Sequence, residues 1–305
     1  MSGVCDSGDV GWLLTIGTLA LGILATQAKP TALAASHQAR AVAPGEVVVV
    51  DVRAATPLQD LAAQWLGRKV TFYRLTPERW QGLAAIDLDA APGLKTLDLR
   101  ATTADGRALT RAYALTIARR VFATRRISVA AEFAEPPPEA LARIEQERKR
   151  VEAIFASPSA DRLWKDSFVV PVPGTATSSF GRRTILNGQP RGAHTGTDFQ
   201  AASGTPVVAP NAGRVVLVAD LYFAGRTIII DHGLGLYSYL AHLSEFDVAE
   251  GTLVTRGQKI ALSGATGRVT GPHLHWSMRV GPSRVDPLSL VDALERENGK
   301  GTREK

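Results

Sequence analysis

Histidines and one aspartate form short patterns in the C-terminal half of this sequence. His194 and Asp198 are separated by three residues that include Gly196, and His273 and His275 flank a single leucine. In an extended strand, residues two apart point to the same side, so the last two imidazoles are expected to project together. Catalytic zinc takes three protein ligands from His, Asp or Glu and keeps a fourth position open. The pattern therefore predicts a metal-assisted hydrolytic site.

Three further histidines differ in their surroundings. His242 follows the strand-like run 237–241, and with the unligated member of the 273/275 pair it could transfer protons and hold developing negative charge. His232 stands at a turn after an isoleucine-rich run, which favours a structural role. His37 lies in the linker expected after the N-terminal segment and has no assigned role. The residues alone leave open which of the paired histidines would be the third ligand.

Composition limits the classes of protein to which the chain can belong. It has 305 residues, a length that suggests two domains, and a single cysteine, which excludes an intrachain disulfide and a cysteine-rich metal site. Lys and Arg number 35 against 29 Asp and Glu, a net charge of +6 that favours an anionic partner. Basic pairs such as Arg119-Arg120 and Arg125-Arg126 lack the interleaved aromatic residues of a nucleic-acid platform, so we expect no nucleic-acid partner.

The N-terminal segment is predicted to direct the chain out of the cytoplasm. Residues 12–25 form an uncharged, mostly apolar run followed by small residues. As a helix this run would rise about 24 Å, less than the ~30 Å of a bilayer core, which suits a secretory signal better than a stable span. Asp6 and Asp9 stand where a signal normally carries positive charge, a conflict that a translation start near Val10 or upstream would remove. We therefore expect a signal peptide or N-terminal membrane anchor over 1–34 and an extracytoplasmic location, in the periplasm or cell envelope.

Between this segment and the histidine-rich half, the sequence predicts a small β domain and a helix. Short runs rich in Val, Ile and Thr, separated by turn residues, indicate a β-sandwich-like accessory domain over 44–135. Three prolines at 136–138 then open an amphipathic linker helix over 138–157, with Leu141 on its apolar face. A disordered tail is expected over 293–305. The strands predicted in the accessory domain are 46–52, 69–75, 94–100, 109–118 and 126–133.

Residues 168–290, within a metallopeptidase domain expected over 167–292, resemble the catalytic domain of the lysostaphin-type (LytM-type) zinc metalloendopeptidases, which cut peptidoglycan. That family carries His-x-x-x-Asp early in the domain, a His-Leu-Ser-like element in the middle and His-x-His near the end. Intervening segments are similar as well, including Gly-Thr-Pro-Val-Val-Ala at 204–209 and Val-Asp-Pro at 285–287. The resemblance covers less than half of the chain. The three matching elements stand in the family's order as His194-x-x-x-Asp198, His242-Leu243-Ser244 and His273-Leu274-His275.

The resemblance implies a fold, a metal and a reaction. The domain would be an antiparallel β catalytic domain, which would make the whole chain mainly β. One Zn²⁺ per chain would be held by His194, Asp198 and His275, with His242 and His273 as the unligated catalytic residues. The protein would then be a zinc endopeptidase that hydrolyses peptide stems or cross-links of peptidoglycan, its macromolecular partner, through a zinc-activated water.

Two positions depart from the family pattern. Some members have a tyrosine six residues before the first zinc histidine and another two residues before the central histidine. This chain has Gly188 and Leu240 at those positions. Three arginines nearby are the cationic candidates for stabilising an oxyanion instead, namely Arg182, Arg183 and Arg191.

Two other functions are weighed against the enzyme. A non-catalytic LytM-like regulator that activates a cell-wall amidase would keep the fold and lose zinc ligands, whereas all five site positions are intact here. A lipoyl-like carrier would share the spacing of Val254, Gly257 and Ile260, but it needs a suitably flanked lysine at a hairpin tip, which the sequence does not provide. The zinc endopeptidase therefore explains more of the sequence than either alternative.

Overall fold

The described part of the computed structural model consists mainly of β-strands, which confirms the predicted fold class. It covers residues 33–128, 135–178 and 180–297, together with Gly3. Two helices, α1 (Pro138–Ala156) and α2 (Pro287–Glu297), lie among these residues, and no helix there is long and apolar enough to cross a membrane. The strands are β1 (Leu33–Gln38), β2 (Val47–Ala54), β3 (Leu58–Trp65), β4 (Arg68–Thr76), β5 (Arg79–Ala85), β6 (Gly93–Thr103), β7 (Ala108–Ile117), β8 (Thr124–Ile127), β9 (Ala176–Ser178), β10 (Arg183–Leu186), β11 (Gln189–Arg191), β12 (Thr197–Gln200), β13 (Pro206–Val208), β14 (Gly213–Leu221), β15 (Gly225–Gly233), β16 (Leu236–Phe246), β17 (Leu253–Val254), β18 (Lys259–Ser263), β19 (His273–Val280) and β20 (Ser283–Val285).

The first seven strands form a curled antiparallel sheet in the order β1-β2-β5-β4-β3-β6-β7. Its two outermost strands meet, because the Arg111 guanidinium donates to the Leu33 carbonyl at 2.7 Å and His37 hydrogen-bonds the Tyr113 hydroxyl at 2.7 Å. Strand β2 is a run of valines whose side chains are buried on both faces of the sheet. The curled sheet therefore encloses one apolar cluster and presents a second apolar face to the rest of the chain.

This sheet begins earlier than the sequence indicated. Strand β1 (Leu33–Gln38) begins within the predicted signal segment 1–34 and ends before the accessory domain expected over 44–135, and it pairs with β2 along its whole length. Its small and polar residues look like the region that follows a signal peptide, but Leu33 is fully buried and the backbone pairing holds the strand in the sheet. His37 therefore lies in a strand and not in a linker. Apart from Gly3, the rest of the predicted signal segment lies outside the described residues.

A second, ten-stranded sheet carries the histidine-rich motifs. Its central path is β17-β14-β15-β16-β19-β12-β9; β18 pairs with β16 and with β13, and β20 pairs with β19. Strand β15 contains three successive isoleucines, Ile228, Ile229 and Ile230, all fully buried. A continuous apolar run of this kind is typical of a strand covered on both faces. Strand β16 pairs with this buried strand, and β19 and β12 follow it in the sheet, so these three strands are joined to a tightly packed centre.

Helix α1 covers one face of the ten-stranded sheet. Pro137 occupies its N-cap in an extended conformation, and the helix begins at the next proline, where a missing N–H is tolerated. Phe155 packs edge to face on Tyr237 with ring centroids 5.1 Å apart, and the Tyr237 hydroxyl donates to the Ile154 carbonyl at 3.1 Å. Leu141 was predicted on the apolar face, but it is 53% exposed, because the last turns of the helix make the apolar contacts.

The first sheet has a core of its own, and its other apolar face packs into the core of the ten-stranded sheet. Val47 and Tyr73 of the first sheet lie in the same buried cluster as Trp164 and Phe168. The described residues from 33 onward accordingly belong to one compact unit. Helix α2 lies at this junction, where the Val47 N–H donates to the Ser289 hydroxyl at 2.7 Å.

Helix α2 also extends into the range 293–305, which was predicted to be a disordered tail. Ala293 and Leu294 are buried in the core of the ten-stranded sheet, and this burial stabilises the last turns of the helix. Residues 298–305 lie outside the described part of the chain.

Strand β8 leaves the first sheet and joins a small separate one. It runs parallel to β10, and β10 pairs with β11, so that the order is β11-β10-β8. The register places Arg125 and Arg191 on either side of Thr184. The end of the predicted accessory domain is therefore paired with the segment that precedes His194.

Candidate metal centre

Three neighbouring strands bring four of the predicted site residues together. Strand β12 runs antiparallel to β19 with Asp198 opposite His275, and β16 pairs with the other side of β19 with Ala241 opposite His275. His273 precedes His275 by two residues on β19, so both project from the same side of the sheet. His242 follows Ala241 on β16. The register of one sheet therefore collects groups that are far apart in the sequence.

His242 reaches the site through an irregularity in its strand. In a regular strand it would point away from the side occupied by Ala241. Its φ angle is 64°, an uncommon value for a residue other than glycine, and the pairing of β15 with β16 shifts register at this point. The His242 N–H donates to the Ala224 carbonyl at 3.0 Å, outside the regular ladder. This bulge turns the imidazole toward the other histidines.

Three side chains converge closely enough to hold one metal ion. Asp198 Oδ1 lies 3.1 Å from His194 Nε2 and 2.8 Å from His275 Nδ1, and these two nitrogens are 3.1 Å apart. All ligand atoms of the group lie within 4.8 Å of one another. Imidazole nitrogens and carboxylate oxygens are typical ligands of zinc. A catalytic zinc ion with three protein ligands keeps its fourth coordination position open for a reactant. The donor set fits a catalytic zinc ion.

The pKa values of two members of this group are shifted in the directions that favour metal ligation. Burial raises the pKa of Asp198, but hydrogen bonds and charge interactions with His194 and His275 outweigh it and hold that pKa well below its usual value. Burial also lowers the pKa of His275. Metal ligation requires an ionised carboxylate and neutral imidazoles, so the environment favours binding near neutral pH.

Gly196 permits the close approach of β12 and His275. A Cβ atom at this position would lie 2.6 Å from Cε1 and Nε2 of the His275 ring and 2.7 Å from the Trp276 carbonyl oxygen. Ordinary van der Waals contact begins at 3.4 Å. Gly196, which lies between His194 and Asp198 in the sequence, is therefore required for His275 to pack against β12.

His242 and His273 form a second pair beside the ligand group. Their ring centroids are 4.8 Å apart, and the centroids of His242 and His275 are 6.0 Å apart. His273 Nε2 lies 3.8 Å from Asp198 Oδ1. The two imidazoles are thus within reach of a reactant held at the three candidate ligands.

Backbone carbonyls determine the tautomers of this second pair. His242 Nδ1 lies 3.0 Å from the Thr266 carbonyl, and His273 Nδ1 lies 2.9 Å from the Gly271 carbonyl. Because a carbonyl only accepts, each Nδ1 carries the proton and each neutral ring keeps a lone pair on Nε2. Burial, assisted by the neighbouring charges of His273 and His275, lowers the pKa of His242 to about 4. Its ring is therefore neutral at pH 7.

A buried ionic network supports β12 from the side of the first sheet. The Thr197 hydroxyl, adjacent to Asp198, donates to Asp286 Oδ1 at 3.2 Å. Arg40 Nη2 lies 2.6 Å from both Asp286 and Glu46, and the Glu46 side chain is 1% exposed. Sequence patterns gave no signal for this network, because its members come from widely separated segments.

The other residues singled out in the sequence have partners elsewhere. His232 is fully buried, with Nδ1 bonded to the Ala212 carbonyl and Nε2 to the Ser238 hydroxyl, each at 2.8 Å, in a structural position. Arg183 approaches Asp89 at 3.4 Å on the surface. The Arg191 side chain pairs with Glu135, and the Arg182 carbonyl accepts from the His194 N–H at 2.9 Å.

Comparison with known proteins relates this site to a peptidase family. The model of peptidase family M23 matches residues 192–287, which include all five site residues. The peptidoglycan DD-endopeptidases ShyA and ShyB of Vibrio cholerae serotype O1 are 47% identical over 100 residues and 44% identical over 95 residues. These alignments cover 33% and 31% of this chain but only 23% and 22% of the two relatives, so the match spans less than a quarter of their length.

One solved structure is similar over most of the chain. It is a crystal structure from Pseudomonas aeruginosa assigned to the M23 peptidases, with a TM-score of 0.63 and 32% sequence identity. The similarity covers 82% of this chain and 95% of that chain, and so it includes the first sheet as well as the site. Because nearly the whole of that protein is matched at this identity, the chain described here belongs to peptidase family M23.

Proposed function

We propose that this protein is a zinc-dependent endopeptidase that hydrolyses peptide stems or cross-links of peptidoglycan. The observation that carries the proposal is the convergence of His194, Asp198 and His275, with His242 and His273 beside them. The two relatives named peptidoglycan DD-endopeptidases support the choice of peptidoglycan as partner. An enzyme that acts on this polymer works outside the cytoplasm, so we retain the periplasm or cell envelope as its location.

The ligand group accounts for the metal in this proposal. One Zn²⁺ per chain would be held by His194, Asp198 and His275. When bound, zinc supplies Lewis acidity, which lowers the pKa of water toward neutrality and polarises a carbonyl group. The ionised state of Asp198 and the close spacing of the three donors support this assignment.

The unligated histidines account for proton transfer. A neutral imidazole with a lone pair on Nε2 can accept a proton from the attacking water, and the carbonyl contacts of His242 and His273 give each ring this tautomer in its neutral form. The imidazolium that results can stabilise negative charge on the former carbonyl oxygen and then protonate the leaving amine. Thr266 and Gly271 hold the two rings in the required tautomer through their carbonyls. These residues act by positioning the histidines.

Substitution of single histidines separates metal binding from catalysis. The chain is purified, loaded with zinc, dialysed and analysed for metal content, and cross-linked muropeptides are followed by mass spectrometry. His275→Ala should lose zinc and activity together. His242→Ala and His273→Ala should keep about one zinc per chain and lose about 10²- to 10⁴-fold in turnover, the usual contribution of a general acid–base.

His37→Ala is the matched control, because His37 lies on the first sheet and bonds Tyr113. It should retain zinc and activity. Absence of zinc binding by the unaltered protein would refute the metalloenzyme. Zinc-loaded protein that leaves muropeptides intact but stimulates an added amidase would establish the non-catalytic regulator instead. We do not favour that alternative, because regulators of this kind lack zinc ligands and the donor group here is complete.

A further inference from the structure

We infer that strands β8, β10 and β11 form an arginine-lined docking surface for an extended, carboxylate-rich peptide that leads into the metal centre. The surface consists of the free edge of β8 and the four arginines of these three strands, of which Arg125 and Arg191 lie on one face and Arg126 and Arg183 on the other. Its role in presenting a peptide for cleavage rests on the proposed function, whereas binding of the peptide does not.

One end of this surface is joined directly to a candidate metal ligand. The Gly181 N–H donates to the His194 carbonyl at 2.8 Å, and the His194 N–H donates to the Arg182 carbonyl at 2.9 Å. Strand β10 begins at Arg183, the residue after Arg182. The row formed by Arg125, Thr184 and Arg191 therefore lies two residues from this pairing, about 7 Å along the strand. A peptide bound across the row can reach the site without a long span of free chain.

The surface has an excess of unneutralised positive charge. All four of its arginines are exposed. Arg183 and Arg191 face exposed carboxylates on neighbouring segments, Asp89 and Glu135. Among the residues that the structure describes, no carboxylate pairs with the other two, Arg125 and Arg126. The planar arginine side chain binds carboxylates through two parallel hydrogen bonds, which makes an acidic side chain its preferred partner.

Strand β8 also offers a free backbone edge. It is the outermost strand of the three, and its opposite edge pairs with no other strand in the described part of the chain. Its residues 124–126 are exposed. An exposed edge can pair with an added peptide strand, so that main-chain bonds supply affinity and side chains supply specificity.

The same features argue for a peptide rather than a nucleic acid. The three strands read Thr-Arg-Arg-Ile, Arg-Thr-Ile-Leu and Gln-Pro-Arg, with no aromatic residue on which a base could stack. A nucleic acid also cannot pair with a free strand edge. The four arginines lie outside residues 192–287, the part matched by the family model.

A binding experiment with the full chain tests the surface. Fluorescein-labelled octa-L-glutamate and octa-L-glutamine are titrated with protein, and Kd is measured by fluorescence anisotropy at low and at physiological salt. The unaltered protein should bind the glutamate peptide, with weaker binding at higher salt. The double variant R125Q/R126Q should raise its Kd by about tenfold or more, which corresponds to about 1.4 kcal/mol.

The matched control is R100Q/R107Q, which removes two exposed arginines of the β6–β7 hairpin and changes the net charge equally. The Kd of this variant should stay within about twofold of that of the unaltered protein, since the two charges that it removes are distant from the docking surface and largely screened by salt. Equal weakening in both double variants would overturn the surface, and so would equal binding of the glutamine peptide. Tighter, Arg125-dependent binding of a short DNA duplex would also overturn it. Urea unfolding of each variant shows that the comparison is between folded proteins.

Muropeptide hydrolysis then separates this inference from the proposed function. R125Q/R126Q should raise KM with kcat unchanged, because both arginines lie outside the reacting groups. Cleavage with an unaltered KM would reject the docking role and leave the endopeptidase standing. Arginine-dependent peptide binding by a protein that cleaves no muropeptide would reject the endopeptidase and leave the docking surface standing.

Discussion

Substitution of Gly196 by alanine tests whether the packing of β12 on β19 controls the metal site. The change removes no ligand and adds a single methyl group. That group would meet the His275 ring at 2.6 Å and the Trp276 carbonyl at 2.7 Å. The carbonyl belongs to the backbone of β19, so the methyl group cannot be accommodated by a side-chain rotation alone.

The size of the effect follows from the distances. To reach the 3.4 Å at which ordinary contact begins, the His275 ring must recede by about 0.8 Å. Metal–ligand distances are held to about 0.2 Å, so this displacement is about four times what a zinc site tolerates. Disturbing the groups that orient a ligand typically weakens metal binding about 10- to 100-fold. We therefore expect G196A to raise the Kd for zinc by that factor.

Zinc affinity is measured by competition with a chromogenic chelator. Urea unfolding of the metal-free protein reports the structural cost, for which forcing one methyl group into a packed site suggests about 1–3 kcal/mol. The control is Gly192→Ala, four residues earlier in the same segment, where a Cβ atom would meet nothing within 4 Å. It should leave both zinc affinity and unfolding unchanged.

A G196A variant that binds zinc within twofold of the unaltered protein would refute this reasoning. That result would mean that β12 and β19 adjust freely and that their packing does not position His275. Loss of affinity in Gly192→Ala to the same extent would refute it as well, because the effect would then follow from alanine in this segment and not from the contact with His275.

Two further predictions concern stability. His232 is fully buried, and burial lowers its pKa from 6.5 to about 4. Between pH 6.5 and pH 4, His232 is therefore protonated in the unfolded chain but not in the folded chain. The free energy of unfolding should therefore fall by about 3 kcal/mol as the pH drops from 6.5 to 4. In His232→Gln, urea unfolding measured over this pH range should show a smaller decrease. A decrease as large as that of the unaltered protein would contradict the assignment to His232. Leu290→Ala should lower the free energy of unfolding by about 2–5 kcal/mol, because Leu290 is buried in the core of the ten-stranded sheet. Calorimetry should show one transition for the whole described unit, and two separate transitions would contradict the packing of the first sheet into that core.

The fold was predictable where hydrophobic patterning is strong. The valine-rich run of β2 and the regular alternation in β7 indicated strands, and the structure has them. Strands β3 and β5 were missed, because they contain Asp, Gln, Ala and Gly residues of low strand propensity. Close packing favours Gly82 in β5, since a Cβ atom there would lie 3.0 Å from the Phe72 ring, closer than ordinary contact. Such strands form because their neighbours pair with them.

Domain boundaries were less predictable than strands. The region expected as an accessory domain over 44–135 has a core of its own, but Val47 also packs in the cluster that contains Trp164, so apolar side chains are buried across the expected boundary with 167–292. Helix α2 continues to Glu297, beyond the expected start of the tail at 293, for the same reason. Burial between segments distant in sequence stabilised both regions, and no local pattern reports such burial.

By itself, the sequence determined which groups could do the chemistry. Ligand preference depends on residue type, and the spacing His273-x-His275 places two imidazoles on one side of any extended strand. The tertiary structure alone decided how those groups are oriented. It supplied the Thr266 carbonyl that sets the tautomer of His242, and the contacts by which Arg40 and Asp286 support β12. These contacts join residues far apart in the chain, and their geometry exists only once the two sheets have packed against each other.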